Sequence, residues 1–302
     1  MLITAVVPTK NRAEALARAV ASICAQARRP DELVVIDQSD GDEPRRGVEA
    51  ACAATPQIKL VYVHDPRIAG LVAAKQAAVD VAAGDIVCFL EDDIVLERDY
   101  LLNIESGFAQ QPGMLGCSGI VTNLPPLPRY YRELFHLFHR GIFYDRRVGI
   151  HGEAPAGEAP LVPSNYLSGG LSAYRREVFE AIAFDVANRF FALEDIDFST
   201  RAFDKFGPRF YINRNARLAH YMSPVNRAVL GERQRRKVRE FIVFYKKRSR
   251  LPGALSSLAL LLAGLALEAT YQSLSARRIS PLSGYFAGIR DGMHWDLIGD
   301  RL

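Results

Sequence analysis

The sequence predicts an α/β fold: a mixed, mainly parallel sheet flanked by helices, with a helical extension at the C-terminus. Three observations predict it. Short apolar runs of strand length alternate with segments of helical period from residue 2 to residue 121. The runs are almost continuously apolar, as strands buried on both faces are. Polar or charged residues follow each of the first four runs. Alternation of this kind implies βαβ units and parallel pairing.

The elements follow in order. LITAVV (2–7) reads as the first strand, and apolar spacing predicts a helix over 13–26. DELVVID (31–37) is the second strand; the turn-rich QSDGDEP then leads to a helix over 45–54. Strands follow at 58–63 and 85–90, with a strong helical pattern at 70–83 between them. Residues 98–121 read as a helix and a strand that ends MLGCSGIV. The stretch 123–165 is rich in proline, glycine and aromatics, and reads as a long excursion with a short aromatic helix near 129–140. Residues 166–182 give a glycine turn, a strand and a helix start. Residues 190–207 give a loop, then a helix with acids in its first turn. The runs 209–213 and 216–221 close or flank the sheet.

A chain of 302 residues that is 49% hydrophobic suits one α/β body, expected over 1–225, and a C-terminal region over 226–302. The net charge is +4, but it is uneven: residues 233–250, RQRRKVREFIVFYKKRSR, are strongly basic. Such local basicity points to phosphate or an anionic membrane surface; no nucleic-acid partner is expected. The four cysteines, Cys24, Cys52, Cys88 and Cys117, form no CxxC pair. Reduced, mostly buried thiols and a cytosolic body are expected. The N-terminal run lacks a basic start and reads as a strand rather than a signal peptide. No GxGxxG follows the first strand, which argues against a dinucleotide dehydrogenase. The loop PTKNR also lacks the glycine-rich character of a nucleotidyltransferase.

In sheets of this kind ligands sit beyond the carboxyl ends of the strands. PTKNR, QSDGD, HDPRIAG and EDD follow the first four strands, so polar groups converge on one edge. Glu91, Asp92 and Asp93 admit three readings. They can form a solvated turn with a helix cap, a hard-oxygen site for Mg²⁺ or Mn²⁺, or a general acid or base. Glu194, Asp195 and Asp197 form a second cluster, at a helix start, where capping is the plain alternative. Two acidic clusters at one edge suit a division of labour: one holds a metal and the other removes a proton. Gly169 and Gly170 allow close backbone approach to a ligand, or merely a tight turn. His220 is a structural histidine or the completion of a metal shell. Arg12 and Lys75 are diphosphate contacts or surface charges.

Together these residues resemble glycosyltransferase family 2, whose fold is GT-A. The matching pieces are VVPTKNR (6–12), VVIDQSDGD (34–42), AGLVAAKQAAVDVAAGDIVCFLEDD (69–93), LSGGLSAYRREVF (167–179) and LEDIDFSTRAFDKFG (193–207). Each is short, but all five stand in family order across roughly residues 2–221. The resemblance implies a nucleoside-diphosphate sugar bound by Pro8, Thr9, Asn11, Arg12, Asp37, Gly70, Lys75, Asp92, Gly169 and Gly170. It implies a metal held by Asp93, with Glu91 and His220, and inverting transfer with Asp195, beside Glu194, as the base. The sequence departs from the usual pattern at Glu91, at Lys75 and Gln76, and at Gln38. The DQS variant is similar to rhamnosyl or related hexosyl transferases. A rival of another class is an inactive fold of the same kind that serves as a binding or scaffold subunit; the retained Asp93, Glu194 and Asp195 argue against it.

No residue from Leu251 to Leu267 is charged, and basic blocks flank that run. The run is close to the shortest span that crosses a bilayer. It admits a core helix, a spanning helix or one lying in the interface; the basic flanks favour the last, on the cytoplasmic face. A membrane location points to a lipid-linked or glycan acceptor in polysaccharide or glycolipid assembly. A homodimer is also possible.

Overall fold

The structure is a computed structural model that describes residues 1–125, 129–149, 159–223, 225 and 228–297, without the side chains of residues 148 and 149. Parts of the 123–165 excursion and of the 226–302 region therefore lie outside the described residues.

The first half is the expected alternation. Strands β1 (Ile3–Thr9), β2 (Glu32–Asp37), β3 (Lys59–His64) and β4 (Ile86–Leu90) are separated by helices α1 (Ala13–Cys24), α2 (Glu43–Cys52) and α3 (Leu71–Val81). Then come β5 (Ile94–Leu96), α4 (Tyr100–Gln110), β6 (Gly116–Val121) and the aromatic helix α5 (Arg129–Phe138). The second half contains β7 (Leu161–Pro163), β8 (Leu171–Arg175), α6 (Arg176–Ala181), α7 (Glu194–Phe206) and β9 (Phe210–His220). Three C-terminal helices follow: α8 (Leu230–Lys247), α9 (Ala254–Ala276) and α10 (Ser280–Met293).

One mixed sheet runs β3-β2-β1-β4-β8-β6-β9-β5, with β7 on β9. The half from β3 to β4 is parallel; β8 turns antiparallel between β4 and β6, and β5 and β7 are antiparallel to β9. The runs 209–213 and 216–221 are one continuous strand, β9, whose pairing with β6 shifts register between Ser118 and Ile120. The three-residue strands β5 and β7 were not expected, because three residues carry no readable period.

Side chains alternate across the sheet as the pleat requires. Val6, Val34, Ile36, Val87 and Phe89 face a core shared with α3, α7, α8 and α9. Ala5, Val7, Leu33, Val35, Ile86 and Cys88 face the opposite core, with α1 and α4. Phe184 and Phe198 stack at 4.3 Å on the first face.

Helix α8 differs from its sequence expectation. The basic stretch reads as a membrane-facing surface, yet Val238, Phe241, Ile242, Val243 and Phe244 join the main core. Lys247 and Arg248 are buried. The Lys247 Nζ donates to Asp197 Oδ1 and to Asp185 Oδ2, both at 2.6 Å. Arg201 holds the other Asp197 oxygen at 2.9 Å. Helix α10 lies against α8 through Gly284, Gly288 and Gly292. A Cβ on Gly284 would stand 2.1 Å from the Gly231 carbonyl oxygen, so only glycine permits this approach.

A buried ion pair broken on one side leaves an uncompensated charge. Lys247→Ala should cost about 3–5 kcal/mol in urea unfolding at neutral pH. Burial raises the Asp185 carboxyl, but its bonds from Lys247 and Asn188 outweigh burial and hold it below the ordinary carboxylate range. The stabilisation from that pair is therefore complete above the ordinary range and is lost as pH falls through the depressed value. The cost of Lys247→Ala should shrink over the same acid window.

Candidate active site

The parallel strands end together at one edge, and the polar residues that follow them meet there. Asp37 closes β2; its Oδ2 accepts from the Tyr62 hydroxyl at 2.7 Å and its Oδ1 from the Ser39 N–H at 2.9 Å. Asn11, at positive φ, joins the loops that follow β1 and β2: its Nδ2 donates to Asp40 Oδ2 at 3.0 Å. Gly70 donates its N–H to Gln38 Oε1 at 3.0 Å. Pro8, buried in β1, lies opposite Ile36.

The acidic triplet after β4 splits into different environments. Asp92 turns inward: Thr9 Oγ1 donates to it at 2.7 Å and Arg12 Nη1 at 2.8 Å. Burial raises its carboxyl, against the pull of Arg12 and Thr9. Asp93 and Glu91 turn toward His220. The pairing of Ile94 with His220 sets this meeting, since β5 and β9 run antiparallel there. The His220 Nε2 lies 2.9 Å from Asp93 Oδ1 and 3.0 Å from Glu91 Oε2. The Ser223 N–H donates to Asp93 Oδ2 at 2.8 Å. Its bonds to Asp93 and then Glu91 raise His220 to about 10, and a metal bound at its Nε2 would have to displace that proton. Burial raises Asp93, but His220 and the Ser223 N–H outweigh it and hold the carboxyl low.

One ligand atom from each of Glu91, Asp93 and His220 lies within 4.8 Å of the others. Two carboxylates and an imidazole fit Mg²⁺ or Mn²⁺ in donor chemistry. The three residues expected at a metal are thus brought together.

The second cluster opens α7. Glu194 is buried; its Oε1 accepts from Lys75 Nζ at 2.7 Å, and its Oε2 has no hydrogen-bond partner. Burial pushes its carboxyl up, with Lys75 opposing and Asp195 adding to the rise. Lys75 also donates to the Gly169 carbonyl at 2.8 Å. Lys75, expected at the diphosphate, is 2% exposed here and is engaged by Glu194 and the glycine turn. Both Asp92 oxygens are likewise engaged by protein donors, Thr9 and Arg12. Asp197 points away from the site into the α8 ion network. The i,i+4 pair Asp197–Arg201 was the available sequence signal for that.

Asp195 has a partner that sequence reading missed. Arg147 Nη1 lies 2.5 Å from Asp195 Oδ2 and 3.3 Å from Ser168 Oγ. Asp145 grips the rest of the guanidinium, with contacts of 2.8 to 3.1 Å from Nε and Nη2. Both residues lie in the aperiodic excursion, where no pattern marks them. A second missed residue is Glu240 of α8. Its Oε2 accepts the N–H groups of Phe191, Ala192 and Leu193 at 3.1, 2.7 and 3.0 Å. That grip fixes the backbone just before Glu194 and Asp195.

One cavity of about 360 Å³ joins the clusters: Glu91 and His220 line it, as do Gly169, Gly170, Glu194 and Asp195. The two glycines leave no space for a side chain. A Cβ on Gly170 would sit 2.3 Å from Glu91 Cγ, and one on Gly169 would sit 2.0 Å from Glu194 Oε1.

With this geometry in place, comparison with known proteins decides the family. A profile described as glycosyl transferase family 2 matches residues 4–183, more than half of the chain. The chain belongs to glycosyltransferase family 2. Its fold is also that of solved structures. The mannosyltransferase PcManGT from Pyrobaculum calidifontis, in complex with GDP-Man and Mn²⁺, aligns over 97% of this chain and 87% of its own, at 19% identity and a TM-score of 0.62. S. aureus TarS 1-349 aligns over 97% and 80%, at 17% identity and a TM-score of 0.60. The same TarS fragment in complex with UDP-GlcNAc aligns over 97% and 81%, at 14% identity and a TM-score of 0.62. At these identities the likeness establishes the GT-A fold alone. Comparison with curated proteins gave no match.

Gly170→Ala should push Glu91 off His220. Supporting changes next to a metal site typically cost about 10–100-fold in affinity. Titration with Mn²⁺ should therefore show a loss of that order, with the fold intact by circular dichroism.

Proposed function

We propose that this family 2 glycosyltransferase moves a sugar, with inversion, from a nucleoside-diphosphate sugar to an acceptor hydroxyl, and that the acceptor is a lipid-linked glycan at the cytoplasmic membrane surface. One observation carries the chemical part: a single cavity is lined by Glu91 and His220 at one side and by Glu194 and Asp195 at the other. Its location at the carboxyl ends of the strands suits a nucleotide with its base near Pro8 and Asp37. GDP-Man with Mn²⁺ in the mannosyltransferase and UDP-GlcNAc in TarS support a donor of this class. Held by Asp93, Glu91 and His220, a divalent cation would supply positive charge for a departing diphosphate.

The chain's own residues divide the remaining work. Asp195 borders the cavity and takes the proton of the attacking hydroxyl. Arg147, itself braced by Asp145, fixes the Asp195 carboxylate. Glu194 borders the same cavity with its Oε2 buried and unpartnered, while Lys75 offsets its charge. Arg12 balances Asp92 and lies 3.6 Å from Asp93. Gly169 and Gly170 bring backbone close to the donor. Asp195→Asn should lower transfer by several orders of magnitude and leave donor affinity nearly unchanged. Asp93→Ala should remove metal-dependent donor binding. Equal turnover in Asp195→Asn and wild type rules out the base assignment.

The membrane part rests on α9 and its neighbours. Among the described residues α9 is the one helix long and apolar enough to cross a membrane, and one third of its most apolar stretch is buried inside the protein. Leu255, Leu267, Tyr271 and Leu274 are exposed on it, and Tyr130, Tyr131, Leu134 and Leu137 are exposed on α5, which packs beside it. An apolar face of this kind, close to Arg277 and Arg278, suits the interface of an anionic bilayer. Removing 251–302 would also strip α10 from α8, so point changes test the idea better. Replacing Leu255, Leu267, Tyr271 and Leu274 by serine should abolish cosedimentation with anionic vesicles while leaving the melting temperature nearly unchanged. Retained cosedimentation contradicts the assignment.

A further inference from the structure

Cys24 is the last residue of α1 and Cys52 the last residue of α2. Their sulfurs lie 3.7 Å apart. The helices are in close contact along their length: a Cβ on Gly47 would stand 3.3 Å from the Ala17 Cβ. Two helices from separate βα units thus present their terminal thiols to each other, away from the strand edge that carries the site.

We propose that Cys24 and Cys52 form a dithiol that a peroxide converts into an intramolecular disulfide joining α1 to α2. A disulfide needs its sulfurs about 2.05 Å apart, so closure requires a combined movement of roughly 1.7 Å. Cys52 can supply it, because the helix ends there and the exposed residues Ala53 and Ala54 follow. Access also comes from that side: Cys52 is partly exposed, whereas Cys24 is 5% exposed.

Hydrogen bonding, more than charge, selects the attacking sulfur. The bond from Cys52 lowers the Cys24 thiol most, burial opposes, and Thr55 and the Arg29 guanidinium add to the lowering. The negative ends of two helix dipoles work against a thiolate here, and a donor and a cation at the same sulfur work for it. The chemistry balances with hydrogen peroxide as oxidant. The Cys24 thiolate attacks one peroxide oxygen, the O–O bond breaks, and the departing hydroxide takes a proton and leaves as water. The Cys52 sulfur then attacks the resulting sulfenic acid, the S–O bond breaks, and a second water leaves. Two thiols are oxidised and one peroxide is reduced to two waters.

The other two cysteines serve as internal controls. Cys88 and Cys117 are fully buried, and burial raises both thiols. Neither meets the conditions for attack. The disulfide would close residues 24–52 into a loop containing β2 and Asp37, restricting the unfolded chain without entering the cavity.

The experiment uses the full-length reduced protein, treated with hydrogen peroxide, alkylated and digested with trypsin without reductant. The expected product joins peptide 19–28 to peptide 47–59, two hydrogens lighter than their sum, and dithiothreitol separates them. The melting temperature should rise on oxidation and return on reduction, with Cys88 and Cys117 alkylated only after unfolding. Cys52→Ser should lose the cross-link and leave Cys24 as a sulfenic acid that dimedone traps. The proposal is overturned if Cys24 and Cys52 oxidise separately to sulfinic acids, if they stay free, or if the cross-links run between chains.

Discussion

Acids gathered at one buried sheet edge must be matched by cations, and the site follows from how that matching is done. Arg12 takes Asp92, His220 takes Asp93 and Glu91, Lys75 takes Glu194, and Arg147 takes Asp195. Each pair draws its partners from different parts of the chain, so every one is also a tertiary tie. An acid left alone in such surroundings would take up a proton or destabilise the fold. The pairs therefore offset part of the cost of burying these acids and fix where each one points. They also sort them. Asp92 is enclosed by Thr9 and Arg12, whereas Glu91, Glu194 and Asp195 border the cavity.

The same rule explains the C-terminal helices. Lys247 reaches Asp197, and Glu240 receives three N–H groups of the segment that leads into α7. Helix α8 is thus packed into the same core as the sheet, and its basic sequence is spent largely on internal pairs. Carboxylates and amides that must sit within fractions of an ångström of a substrate are better placed by rigid helices than by loops. The excursion that carries Arg147 is the exception, and Asp145 steadies it.

The fold was legible where physics acts locally. Continuous apolar runs marked β1 to β4, because both faces of those strands are buried, and the loops after them marked the sheet edge. Glu91, Asp93 and His220 converge as the family resemblance implied. What was hidden is long-range. Nothing near Arg147 signals that it meets Asp195, 48 residues later. The buried face of α8 was masked by its charge, since long basic side chains suit a lipid surface and an internal acid equally well. The family resemblance implied a diphosphate contact for Lys75, and its pairing with Glu194 at 2.7 Å is a tertiary contact that no local pattern marks.

The central claim is that the edge cluster binds a nucleoside diphosphate together with a divalent cation. Calorimetric titration of UDP and of GDP into the wild-type protein, with and without Mn²⁺, tests it most directly. The account predicts saturable binding of at least one nucleotide that is strengthened at least about tenfold by Mn²⁺, because a cation held by Glu91, Asp93 and His220 would offset the diphosphate charge. Binding of equal strength with and without Mn²⁺, or no binding of either nucleotide, would contradict it.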